Sequence, residues 1–179
     1  MLVECGLVRA HGEDGKEWVF RPSFARIAEL GYPHEIVELF AEIHGPTAPE
    51  AARYVLRTLC DSDASELVGW RDDAGFHAGS MPVDDQVVIA RHLMTHGICG
   101  KQSGSAASGK FATEFKVSEY IASAVVHFGM TQAEAGDLSM TQFQELFAQK
   151  FPDAVKEKPP TRDEYRAFMA SIDKKKKAA

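Results

Sequence analysis

Two short apolar runs near the N-terminus, separated by turn residues, predict a hairpin over residues 2 to 21. Leu2, Val3, Leu7 and Val8 supply the first strand, and Trp18, Val19 and Phe20 the second. His11-Gly12-Glu13-Asp14-Gly15-Lys16 between them is rich in the residues that tight turns need. From Pro22 onward the apolar spacing becomes helical. A short helix opens at Pro22, carries Phe24, Ile27, Ala28 and Leu30, and ends at Gly31. From Pro33, Ile36, Val37, Leu39, Phe40 and Ile43 form one stripe, which His44-Gly45-Pro46 stops. A third helix runs to about Cys60 with Ala52, Val55, Leu56 and Leu59 inward.

Residues 61 to 82 hold too many Asp, Gly and Pro residues for a long element and read as an irregular loop. Trp70 and Phe76 are expected to pin that loop onto the body. After Pro82 a helix carries Val87, Val88, Ile89, Leu93 and Met94 and ends at Gly97. Residues 100 to 112 contain a Ser/Gly-rich stretch with the composition of a flexible linker. Residues 114 to 128 are again helical, with Gly129 closing the helix. Four pairs have capping-box spacing: Thr47 with Glu50, Thr131 with Glu134, Thr141 with Gln144, and Thr161 with Glu164. In such a pair the threonine oxygen accepts from a free backbone N–H, and the acid or amide reaches back to the cap. The expected fold is therefore mostly α (α+β): an N-terminal β-hairpin followed by a bundle of short helices. The expected organisation is a body over 1–152 with loops at 61–82 and 100–112. A linker at 153–160 carries Pro159-Pro160, a C-terminal helix covers 161–173, and a disordered basic tail covers 174–179.

Composition narrows the class. With 179 residues, 45% of them hydrophobic and 26% charged, the chain is long enough to bury a core. Its net charge of −6 is uneven, because Lys174 to Lys177 contribute four positive charges. A body more acidic than the total argues against broad electrostatic binding of nucleic acid. No apolar run approaches the roughly 18 residues of a membrane-spanning helix. Glu4 sits where a secretory signal would be basic or apolar. The three cysteines, Cys5, Cys60 and Cys99, are odd in number and widely spaced, so they read as small apolar core residues rather than a disulfide framework. A cytoplasmic protein is the expectation.

Candidate chemistry is sparse. Gly104 to Lys110 matches the spacing of a phosphate-binding loop, but Phe111 stands where a magnesium-holding Ser or Thr is needed, and no buried strand precedes it. His92 and His96 lie four apart, so both could face one metal ion, with Cys99 close behind and Cys60 or His77 to complete the set. The competing reading is that both histidines complement the negative end of their helix and bond carbonyls of the 60–82 loop. The acidic residues Asp61, Asp63, Glu66, Asp72 and Asp73 lack the spacing of a calcium loop. The short helices over 131–147 could mimic a helix-turn-helix, but no Arg or Lys occurs between 117 and 149 to read bases. No catalytic residue and no cofactor are expected.

Two segments carry a resemblance. Arg21-Pro22-Ser23-Phe24-Ala25-Arg26-Ile27-Ala28-Glu29-Leu30-Gly31, preceded by a strand, resembles the opening of tail assembly chaperones of long-tailed bacteriophages. His127 to Thr131, Glu134-Ala135 and Leu138 to Gln144 are similar to a segment of phage tail chaperone and tail adaptor proteins. Cys60-Asp61, Gly79 to Pro82 and Ala90 to Gly97 resemble a phage and prophage family of similar length. The resemblance implies a non-enzymatic tail assembly protein that binds the tape-measure protein, the tail-tube protein or both. Recognition would be by apolar helical faces, with no membrane, no specific nucleic acid, and self-association as an option. The candidate contacts are Phe143, Leu146, Phe147 and Phe151, with Tyr165, Phe168 and Met169 on the last helix. The alternatives are a virion structural protein, such as a tail-completion or head–tail connector subunit, and a metal-binding enzyme built on His92, His96 and Cys99.

Overall fold

A computed structural model describes residues 5–12, 15–101 and 112–152. The chain up to Leu146 forms one compact unit, and a second begins at Phe147. The 153–160 linker, the 161–173 helix, the 174–179 tail and most of the Ser/Gly stretch lie outside the described residues.

The fold is mostly helical with a small N-terminal hairpin, as the spacing predicts. Strands β1 (Val8–His11) and β2 (Glu17–Phe20) pair antiparallel, with Val8 opposite Phe20 and His11 opposite Glu17. Trp18 and Phe20 alternate with the half-exposed Val19 and point into the core. The free side of β2 is covered by the chain that leaves the third helix. Phe20 bridges Cys60, Arg21 N–H donates to Leu59 O, and Asp61 N–H donates to Val19 O. The Trp18 indole N–H adds a bond to Asp63 O at 3.0 Å.

Helix α1 (Phe24–Ala28) starts two residues later than Pro22 suggests, because Ser23 Oγ accepts from Arg26 N–H and makes Ser23 the cap. In α2 (Pro33–Glu42) Pro33 occupies the first turn, where a missing N–H costs nothing. Glu35 reaches back to the Tyr32 N–H. Helix α3 (Ala48–Leu59) buries Ala52, Val55, Leu56 and Leu59 completely, as its stripe predicts. It packs on α5 (Val83–Met94), whose inward residues are Gln86, Ala90, Leu93 and Met94. Val88, one of the apolar residues this helix carries, is 63% exposed. The helical period that places Ala90, Leu93 and Met94 on α3 turns Val88 outward. Arg91 Nε donates to Ile43 O, supplying a partner to a carbonyl at the end of α2.

The helix does not stop at Gly97. A π-helical turn, Thr95–Cys99, widens it by a residue per turn. Gly97 is buried there, and a Cβ on it would lie 2.7 Å from Ile27 Cδ1, so a larger residue would have to displace the Ile27 side chain of α1. Helices α6 (Val117–Phe128), α7 (Gln132–Gly136) and α8 (Met140–Lys150) follow. Gly129 ends α6 at φ +69, in the left-handed region that glycine favours. An aromatic cluster joins α1 to these helices. The Phe24 ring stacks on Tyr120 at 5.6 Å and meets Phe143 edge-on at 6.0 Å, and Phe128 lies 5.7 Å from Phe143.

The capping pairs divide. Thr131 and Glu134 form a complete box: Thr131 Oγ1 accepts from Glu134 N–H, and Glu134 Oε2 accepts from Thr131 N–H at 2.8 Å. Thr47 makes no side-chain cap. Thr141 lies inside α8 and is fully buried, and the box there is made two residues earlier, by Ser139 and Gln142. Thr161 and Glu164 lie outside the described residues. Thr131→Ala is expected to lower stability by about 1 kcal/mol, the usual effect of losing a side-chain cap. Equilibrium urea unfolding measures it, and an unchanged midpoint would refute the box.

The 61–82 stretch is not irregular throughout. It folds into a one-turn helix α4 (Ser65–Val68) and a second hairpin, β3 (Trp70–Asp72) with β4 (Gly75–His77). Asp72 Oδ1 accepts from Ala74 N–H and Gly75 N–H, closing a turn of the kind aspartate favours. Ser80 N–H donates to Glu66 O and Met81 N–H to Leu67 O, which ties the base of this hairpin to α4. Among the described residues no helix is long and apolar enough to cross a membrane.

Candidate functional site

Helix α3 is two-faced. Its inward side is small and aliphatic, and its outward side carries Glu50, Arg53, Tyr54, Arg57 and Thr58 at helical spacing. The β3–β4 hairpin stands over that outward side. The two enclose an open groove of about 1010 Å³. Arg71 and Phe76 face each other across the hairpin and share one of its sides. The Arg53 guanidinium sits over the Phe76 ring at 4.3 Å, so a cation–π contact joins helix to hairpin. Trp70 stacks on His77, with ring centroids 3.9 Å apart. The Tyr54 hydroxyl donates to Leu30 O, which fixes that ring on the wall.

The electrostatics of the groove are cationic within an acidic protein. Among the described residues Arg53, Arg57 and Arg71 make no ion pair. Arg53 Nε is shut off from solvent and has no hydrogen-bond acceptor among the described residues. Two carboxylates also line the groove, Glu50 and Asp63. Hydrogen bonds from the Ser65 side chain and backbone hold the Asp63 carboxyl below the usual aspartate range, and the charges of Arg57 and Lys16 add to this. Asp63 is therefore occupied by its own loop. Phe76 ties the loop to the body through Arg53, as expected, but Trp70 and Phe76 are 40% and 45% exposed and are not buried by it. They line a surface instead.

The residues expected from sequence fall elsewhere. Phe143 is only 8% exposed and is packed among Phe24, Tyr120 and Phe128. It is a core ring, not a surface contact, because the aromatic cluster needs it to close. Leu146, Phe147 and Phe151 are half-buried, and the rings of Phe147 and Phe151 lie 4.9 Å apart. Tyr165, Phe168 and Met169 lie outside the described residues.

His92 and His96 do share a face, with ring centroids 4.5 Å apart. His96 does not bond the 60–82 loop: its Nδ1 lies 2.8 Å from Thr141 Oγ1. Cys5 and Cys60 are buried, but Cys99 is exposed, contrary to its reading as a core residue. Partial burial still pushes its thiol pKa up, which makes it a poor metal ligand or nucleophile. Among the described residues no group of three or more His, Cys, Asp or Glu side chains is placed to hold a metal ion.

Burial holds the His96 pKa below its ordinary 6.5, and the charges of His92 and Lys101 act the same way. The unfolded chain therefore binds a proton at a higher pH than the folded one. Stability from this residue is complete above pH 6.5 and is lost as pH falls toward the folded value. Thermal unfolding is expected at a lower temperature near pH 5.5 than near pH 7.5, with the difference reduced in His96→Gln. The lowered carboxyls of Asp63 and Glu134 act only in a more acidic range. An equal pH response in the variant would remove His96 from the account.

The groove was missed in the sequence because its walls come from separate segments, 50–58 and 69–76. Two signals were present. Arg53 and Arg57 stand four apart on the polar side of a helix, and Trp-Arg-Asp-Asp-Ala-Gly-Phe-His is a strand–turn–strand string. A family of unknown function, DUF6246, matches residues 45–167, a span that includes both walls of the groove. No curated protein and no solved structure matches the chain.

Proposed function

Starting from the fact that the chain belongs to DUF6246, a family of unknown function, we propose that it is a non-enzymatic, chaperone-like phage tail assembly protein acting in the bacterial cytoplasm. It would bind the tape-measure protein, the tail-tube protein or both before the tail forms. The reading is supported by how the two segments that resemble tail chaperones and adaptors come together. Phe24 N–H donates to Leu138 O at 2.8 Å, and the Phe24 ring meets Phe143. The two stretches thus form one structural module, although more than ninety residues separate them. Of the expected apolar contacts, Leu146, Phe147 and Phe151 remain half-buried on the described chain. Phe143 is committed to the core, and the aromatic side chains exposed on the body include Trp70 and Phe76 at the groove.

The test is co-expression of the tagged chain with phage tail-tube and tape-measure proteins, together with mass spectrometry of purified particles. Co-purification with either protein, and absence from finished particles, is the expected result. Stoichiometric presence in the particle would replace this reading with a virion structural subunit. Failure to retain either tail protein would overturn it.

A further inference from the structure

We propose that the α3–hairpin groove is a docking site for an acidic amphipathic helix of a protein partner. Its carboxylates would pair with Arg53 and Arg57, and its apolar side would lie on Trp70 and Phe76. The inference rests on the protein-binding reading above and adds the site and the chemistry it recognises.

Charge complementarity singles out the occupant. Arg53 and Arg57 are one helical turn apart on the same side of α3, about 6 Å along the axis. A guanidinium fork takes a carboxylate through two parallel N–H donors, and among the described residues three such forks here have no carboxylate within ion-pair distance. Two acidic residues four apart on a partner helix reproduce the spacing of the two arginines on α3. Arg53 adds a specific demand, since its Nε is already out of water with no acceptor. A buried donor left in that state is unfavourable, which marks the Arg53 guanidinium as a group that gains from a carboxylate brought beside it. The stacked Trp70–His77 pair and Phe76 supply a flat apolar wall, which suits aliphatic or aromatic side chains on the same side of the incoming helix.

Glu50 sets the polarity. It lies one turn before Arg53 on the same side of α3, so the groove reads negative, positive, positive along the helix. A long polyanion would meet this carboxylate and the acidic body around it. A helix with a basic residue followed by two acidic ones matches all three positions. An acidic helix is therefore favoured over single-stranded nucleic acid, although aromatic and arginine side chains occur together in both kinds of site.

The full chain provides its own probe. It has two tryptophans, and Trp18 is buried whereas Trp70 lines the groove, so a ligand-induced change in the emission of the unaltered chain reports on Trp70. The titrants are a helical peptide with one lysine and two glutamates at matching spacing plus leucine and phenylalanine on the same side, its glutamine counterpart, and a short oligothymidylate. The glutamate peptide is expected to shift Trp70 emission saturably, and the glutamine peptide to bind at least about tenfold more weakly. Arg53→Gln with Arg57→Gln is expected to bring the same loss. Arg53→Lys with Arg57→Lys, which keeps the charges without the forks, should recover part of it. Circular dichroism and urea unfolding confirm that each variant is folded. Equal binding of the two peptides, tighter binding of the oligothymidylate, or unaltered binding by the glutamine double variant would each overturn the proposal. Its failure is separable from that of the assembly reading. Retention of tail proteins by the double variant sinks the groove alone, and peptide binding without retention of tail proteins sinks the assembly reading alone.

Discussion

Phe24→Ala is expected to destabilise the protein by about 3–5 kcal/mol, the range for emptying a fully buried aromatic site. The ring has no solvent exposure. It also joins segments distant in sequence, since Tyr120 stacks on it and Phe143 meets it edge-on. Its removal forfeits the transfer energy and those ring contacts, and it leaves a cavity between α1, α6 and α8. The backbone there is already committed, because Phe24 N–H is bonded to Leu138 O and the site cannot readily collapse. A single domain is stable by only about 5–15 kcal/mol, so a large part of the population should be unfolded at moderate temperature. Equilibrium urea unfolding reads the effect as a lowered midpoint at unchanged slope. A loss below about 1 kcal/mol would mean that the aromatic cluster is not the joint between these segments.

Trp18→Ala should cost a similar amount, about 3–5 kcal/mol, but through a different connection. Trp18 is 3% exposed, and its indole N–H is the side-chain bond from β2 to Asp63 O. Asp63 stands at the start of the 61–82 stretch, whose hairpin is the outer wall of the groove. Loss of the indole removes both a buried ring and the anchor of that wall. Trp18→Phe separates the two effects. It keeps most of the packing and loses the bond, so about 1 kcal/mol is expected, the usual net value of one hydrogen bond. Urea unfolding gives the stabilities, and Trp70 fluorescence in Trp18→Phe reports whether the wall keeps its place. Equal stability of the alanine and phenylalanine variants would show that the ring itself adds little.

Much of the architecture was open to reading from local rules. The stripe Ala52, Val55, Leu56, Leu59 specified the buried side of α3, and all four have no exposure. Thr131 with Glu134 announced a capping box that the structure makes in full. These succeed because helical periodicity and caps are settled within a few residues of chain. The same rules misplaced Thr141, since Ser139 and Gln142 form an equivalent box two residues earlier and the helix begins with them. They also passed over the β3–β4 hairpin, whose three-residue strands are too short to show a period.

Which apolar side chains face a neighbour was decided in three dimensions. Val88 and Phe143 are both apolar residues at helical spacing, yet Val88 lies at the surface and Phe143 closes the core. Periodicity states where a side chain points relative to its own axis and leaves open whether another element covers it. The groove depends entirely on that second question. Arg53, Arg57 and Phe76 are ordinary surface residues of a helix and a loop when read along the chain. They become a site only because α4 and its backbone bonds fold the 70–77 hairpin over α3, bringing an aromatic ring onto Arg53 and leaving its Nε buried without an acceptor.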